Sequence, residues 1–114
     1  MSQLLEQAHN HRLRGEYSEA EAIYRQLLAE GDCPAACWGL GHALMNEGDF
    51  DGCVEFFERA IALEPANALY VLDLAKFFAM LGEDDRAKRL FTEVVAVGGD
   101  ERCVSEAKKQ LAYY

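Results

Sequence analysis

Apolar residues recur along this chain at the three- and four-residue spacings of helices, and no segment alternates as a strand does. The first run holds Leu4, Leu5 and Ala8, and turn glycines divide the rest of the chain into helix pairs. The pattern predicts helices at about 2–14, 18–30, 35–46, 51–63, 68–81, 85–97 and 101–113. Ser18, with Glu21 three residues later, has the form of a capping box. Asp51 and Asp85 follow their turn glycines at the same distance, and short polar side chains there would satisfy the first N–H groups of a helix. Pro34 suits a first helical position, Pro65 closes the second pair, and Asn67 can cap the helix after it. Gly98-Gly99-Asp100 stops the sixth helix. The last segment places Cys103, Ala107 and Leu111 on one face, with Ser105, Glu106, Lys108, Lys109 and Gln110 elsewhere.

The pattern repeats. Gly15-Glu16-Tyr17-Ser18-Glu19-Ala20 returns as Gly48-Asp49-Phe50-Asp51-Gly52-Cys53 and as Gly82-Glu83-Asp84-Asp85-Arg86-Ala87. From 15 to 48 is a step of 33, and from 48 to 82 a step of 34. A near-constant period of this length marks a helix-turn-helix array. One such unit cannot bury its own apolar face, so stacking supplies the core, and a last helix with one apolar face would close the open end.

These residues resemble the tetratricopeptide repeat. The middle repeat carries the resemblance best, with Leu40-Gly41, Phe57, Ala60 and Pro65, although Cys37 stands where the family often has Trp and Cys53 replaces the usual Ala. The third offers Leu74-Ala75, Phe78, Ala87, Phe91 and Val94. The first is the most degenerate, with Ala8, Ala20 and Tyr24, and His11 in its Tyr position. The resemblance implies an all-α fold, a right-handed solenoid of three helix pairs (about 1–33, 34–67 and 68–100) plus a closing helix over about 101–113. Small residues (Ala8, Gly41, Ala75) would let paired helices approach, and large ones (Tyr24, Phe57, Phe91) would fill the space beside them. Tyr70 and Phe77 are bulkier than is usual there and mark a local repacking. The family is a scaffold for protein binding, so the resemblance is specific for fold and not for partner.

Length and charge narrow the function. A chain of 114 residues with 51% hydrophobic content suits one folded domain. Its net charge of −9 argues against nucleic acid and against an anionic membrane surface. No apolar run reaches the roughly 18 residues of a membrane helix. The start Met1-Ser2-Gln3-Leu4-Leu5-Glu6 lacks the basic and apolar stretches of an export signal, which predicts a cytoplasmic protein with reduced thiols. Cys33 and Cys37 form a CxxxC pair followed by His42, but a metal site needs about four ligands at fixed spacing. No metal or cofactor is expected, and Cys37, Cys53 and Cys103 read as small buried hydrophobes. There is no nucleophile elbow, phosphate loop or metal-ligand motif, so no enzyme is expected.

The resemblance also implies that the first helix of each pair lines a concave groove. Counted back from the turn glycines, equivalent positions form stripes. One is apolar: Leu5, Trp38 and Leu72. The next is basic or titratable: His9, His42 and Lys76. Others hold Arg12, Met45 and Ala79; Leu13, Asn46 and Met80; and Ser2, Ala35 and Leu69. Leu5, His9, Arg12, Trp38, His42, Met45, Leu69, Leu72, Asp73, Lys76 and Met80 are therefore the candidate partner-binding residues. A helix phase different by one residue would turn Trp38 into the core instead. One subclass of the family grips acidic chaperone tails with Lys, Asn and Arg at fixed places; here those places hold Leu5, His9, Gly39, Leu69 and Asp73, so that mode is not expected. The expected ligand is a protein or peptide segment with apolar anchors and a flanking carboxylate. At an ordinary pKa of about 6.5, His9 and His42 would add positive charge as pH falls toward 6. A dedicated small chaperone and a self-assembling scaffold subunit are the alternatives, and a homo-oligomer is compatible with each.

Overall fold

The computed structural model describes residues 2–114; Met1 and the side chain of Ser2, both within the first expected repeat, lie outside the described residues. The helices are α1 (Ser2–Leu13), α2 (Tyr17–Glu30), α3 (Pro34–Glu47), α4 (Phe50–Leu63), α5 (Ala68–Met80), α6 (Asp84–Val97) and α7 (Glu101–Leu111), with no strand among the described residues. Their packing resolves into two compact units, one ending at Leu63 and the other Glu64–Tyr114.

The sequence period becomes a repeated turn. Gly15, Gly48 and Gly82 all take positive φ, which glycine adopts without a Cβ penalty. At each, the glycine N–H bonds to the carbonyl three residues back (Arg12, Met45, Ala79). The next residue's N–H bonds five back, Glu16 to His11, Asp49 to Leu44 and Glu83 to Phe78, at 2.8 to 2.9 Å. This closes the first helix in a Schellman-type turn. The carbonyl of that same residue then accepts from Ala20, Cys53 or Ala87 and opens the second helix. One residue thus ends one helix and begins the next.

That economy moves the helix starts. The expected caps at Ser18, Asp51 and Asp85 are corrected to Glu16, Asp49 and Glu83, two residues earlier in each repeat. Only Asp49 caps through its side chain, with Gly52 N–H donating to its Oδ1 at 2.9 Å. Glu16 is too long for the role and turns instead to His11 and Arg14. Pro34 does occupy the start of α3, and Asn67 caps α5 through Leu69 N–H. Asp100 caps α7 by accepting from the N–H groups of Arg102 and Cys103.

Each second helix buries the same triad at i, i+4 and i+7. Ala20, Tyr24 and Leu27 on α2, Cys53, Phe57 and Ala60 on α4, and Ala87, Phe91 and Val94 on α6 are all 0% exposed. The small residues facing them, Ala8, Gly41 and Ala75, are buried as well. A Cβ on Gly41 would lie 2.7 Å from Phe57 Cδ1, so its absence makes room for that ring. Burial of each large side chain stabilises the fold by about 1.5–3 kcal/mol. In the first unit α1 packs on α2 and α3, α2 on α3, and α3 on α4. In the second, α5 packs on α6, and α7 lies against both. Cys103 and Ala107 are the buried residues of α7, while Leu111 is half-buried.

All four cysteines are buried and unbridged. Burial pushes the Cys53 thiol up to about 12, with Asp49 adding to the effect, and raises Cys37 and Cys103 too. The thiolate is the reactive form, so alkylation of the folded protein at neutral pH should be slow, and denaturant should release fast labelling at all four sites. Mass spectrometry after a short iodoacetamide pulse checks this; rapid labelling of native Cys53 would contradict it.

Candidate functional site

Leu5, His9 and Arg12 stand on α1, and Trp38, His42 and Met45 on α3, two helices in mutual contact. All six side chains are half-buried. Trp38 is half-buried, and its neighbour Cys37 is the core residue of the two, at 1% exposed. The Trp38 ring meets His9 edge-on at 5.8 Å and His42 at 4.8 Å, and His42 continues to Phe57 at 5.0 Å. The Arg12 guanidinium lies over the indole, 4.9 Å from its centroid.

A side chain from α2 organises this face. Arg12 Nε donates to the Tyr24 hydroxyl at 3.2 Å, and the same hydroxyl lies 2.5 Å from His9 Nδ1. Arg can only donate, so the phenol oxygen accepts from it. A buried phenol O–H needs an acceptor, and His9 Nδ1 is within reach, which leaves His9 neutral with its proton on Nε2. Burial, and then the nearby Arg12 charge, hold His9 below its usual range. Burial raises the Tyr24 phenol, opposed by its hydrogen bond from Arg12. Tyr24 can sit there because Gly39 has no side chain: a Cβ on Gly39 would collide with Cζ and the hydroxyl oxygen of Tyr24.

The expectation that His9 charges near pH 6 is corrected by this geometry. The cation presented at neutral pH is Arg12, and protonating His9 would place a second charge beside it. A pKa depressed on folding stabilises the fold above the unfolded value of about 6.5, and that contribution is lost as pH falls through the folded value. Between about pH 7.5 and pH 5 the wild-type melting temperature should therefore fall further than that of His9→Gln. Equal losses in thermal melts at the two pH values would show that His9 is not held neutral.

On the second unit, Leu69, Leu72, Asp73, Lys76 and Met80 lie on α5. Leu69 is 40% and Met80 61% exposed, but Leu72 is 3% exposed and offers almost no surface. Lys76 Nζ is paired with Glu106 Oε1 of α7 at 3.0 Å, so its charge is partly answered within the unit. Leu13, at 74%, is a further exposed apolar side chain, on α1. His11 is taken up by Glu16 at 2.8 Å.

Helical periodicity gives Tyr24 a packing role alone, and the structure adds a polar one. The signal is present in the sequence: the equivalent residues of the later repeats, Phe57 and Phe91, lack a hydroxyl. A phenol at a buried position implies a polar partner. Gly39 in a helix interior, where Gly costs about 1 kcal/mol against Ala, is a second sign that a large group lies against it. Among the described residues no group of three or more His, Cys, Asp or Glu is placed to hold a metal ion, and no helix is long and apolar enough to cross a membrane.

Comparison with known proteins places this geometry in a family. Two family models, each described as Tetratricopeptide repeat, match residues 34–67 and 3–32. The human Protein O-mannosyl-transferase TMTC1 is 27% identical over 86 residues, which are 75% of this chain and 10% of that protein. The chain thus spans about a tenth of that relative's length. Among solved structures, the Yersinia enterocolitica type III secretion translocator chaperone SycD is similar with a TM-score of 0.86 at 16% identity, covering 98% of this chain and 81% of SycD. PcrH, a Pseudomonas aeruginosa protein, solved with the chaperone binding region of PopD, gives a TM-score of 0.85 at 19% identity, covering 98% of this chain and 88% of PcrH. Likeness at such identities speaks for the fold, an all-helical repeat. The matched segments together take in more than half of the sequence, and the chain belongs to the tetratricopeptide repeat family.

Proposed function

We propose that this protein is a non-enzymatic interaction module that binds a peptide or protein segment on the α1–α3 face of its first unit. The observation that carries the reading is the half-buried Trp38, with Arg12 over its ring and Leu5 and Met45 on the same two helices. A large aromatic at the centre of a surface supplies contact area at small entropic cost, and Trp and Arg are the residues most often dominant in binding. Leu69 and Met80 present exposed apolar side chains of the same kind on α5. A second reading, a dedicated small chaperone, is favoured by one observation: PcrH, solved with a chaperone binding region, is matched over 88% of its length.

Selection from a library of displayed random peptides tests the proposal. The folded wild-type protein should enrich a recurring motif, and Trp38→Ala should not. Failure to enrich any sequence, or equal enrichment by Trp38→Ala, would overturn it.

A further inference from the structure

Carboxylates of the chain answer most of the arginines on these helices and turns. Arg14 pairs with Glu16 at 3.2 Å, Arg25 with Glu21 at 2.8 Å, Arg59 with Glu55 at 3.9 Å and Arg86 with Glu83 at 3.7 Å. Arg12 differs. Among the described residues no carboxylate pairs with it, although the chain has 20 acidic residues. Glu16, a few residues along, is turned to His11 and Arg14, and Glu21 to Arg25. Arg12 is instead held by a phenol and an indole, through Nε on Tyr24 and its face over Trp38.

Those two contacts use one N–H and one face of the guanidinium. The two Nη groups hold its other four donors in a planar fork, the shape that takes a carboxylate with two parallel hydrogen bonds. The fork is already oriented, so little rotamer freedom remains to be lost on binding. It stands beside the apolar surface of Trp38, on a half-buried site where charges are screened less than in open water.

We propose that Arg12 is the oxyanion-binding group of this face, and that its ligand is a peptide segment in which a carboxylate lies next to a large apolar side chain. The carboxylate meets the Arg12 fork and the apolar side chain meets Trp38. Tyr24 and His9 are positioning residues that hold Arg12 in place. This rests on the reading of the α1–α3 face as peptide-binding. A side-chain carboxylate of Asp or Glu and a chain-terminal carboxylate share the chemistry the fork recognises.

Peptides enriched by the wild-type protein from a random library would be synthesised in acidic form, in Asn or Gln form, and with free or amidated C termini. Fluorescence anisotropy would then be read for wild type, Arg12→Gln and Arg12→Lys, each checked by circular dichroism. The expected result is that Asp or Glu beside an aromatic or aliphatic residue is enriched. Arg12→Gln should weaken the acidic peptide about tenfold more than it weakens the Asn or Gln form, while Arg12→Lys, charged but without the fork, falls between. Sensitivity to C-terminal amidation would assign the carboxylate to the chain end, and insensitivity to a side chain. If Arg12→Gln fails to fold, Arg12→Lys decides: affinity for the acidic peptide equal to wild type would overturn the proposal. Peptides enriched without an acid, or bound equally by Arg12→Gln, would overturn it while leaving peptide binding intact. No peptide enriched at all would overturn both.

Discussion

Deleting residues 101–114 is expected to destabilise the second unit by about 5 kcal/mol. The helix removed, α7, lies on both α5 and α6 and contributes the buried Cys103 and Ala107. Tyr114, with its ring 6.4 Å from that of the fully buried Phe91, goes with it. Uncovering on the order of 200 Å² of apolar surface costs about 5 kcal/mol at roughly 25 cal/mol per Å². Loss of the Lys76–Glu106 pair adds little, because both side chains are more than a third exposed. A domain of this size has a stability of about 5–15 kcal/mol, so the loss is a large fraction of the whole. Thermal unfolding followed by circular dichroism should show a melting transition lowered by well over 10 °C or lost. A truncated chain melting with the wild type would mean that α7 covers nothing of consequence.

Gly39→Ala is the second large effect, and it joins fold to site. In an open helix the change would stabilise by about 1 kcal/mol, because Ala is the better helix former. Here the new methyl would occupy the space of the Tyr24 ring, which is 0% exposed and has no room to withdraw. Overpacking of a filled core costs about 1–3 kcal/mol and often more where a ring must move. The expected net result is a loss of about 2 kcal/mol. Displacing the Tyr24 hydroxyl also releases Arg12 and His9, so peptide affinity should fall in the fraction that stays folded. A melting temperature raised by Gly39→Ala would show that Tyr24 is not held against α3.

Much of the fold is legible in the sequence because its determinants are local. A glycine at positive φ every 33 or 34 residues fixes the turns, and the buried triads follow from helical spacing alone. The caps fall two residues before the expected ones for a reason absent from propensity: Glu16, Asp49 and Glu83 serve two helices at once through their backbone. The site is legible in part. Position counting brings Leu5, His9, Arg12, Trp38, His42 and Met45 to one pair of helices. It does not show that Leu72 is buried or that Glu106 reaches Lys76, since both depend on how neighbouring helices pack. Nor does periodicity reveal that one hydroxyl, on Tyr24, bonds both His9 and Arg12, or that burial and the Arg12 charge hold His9 below its usual range.

The proposed role of Trp38 is to anchor a bound segment. It is tested most directly by calorimetric titration of a library-selected peptide into wild type and Trp38→Ala, both shown to be folded. Trp38→Ala should bind about thirtyfold more weakly, a loss of about 2 kcal/mol. Equal affinity for the two proteins would contradict it and place the partner on another surface.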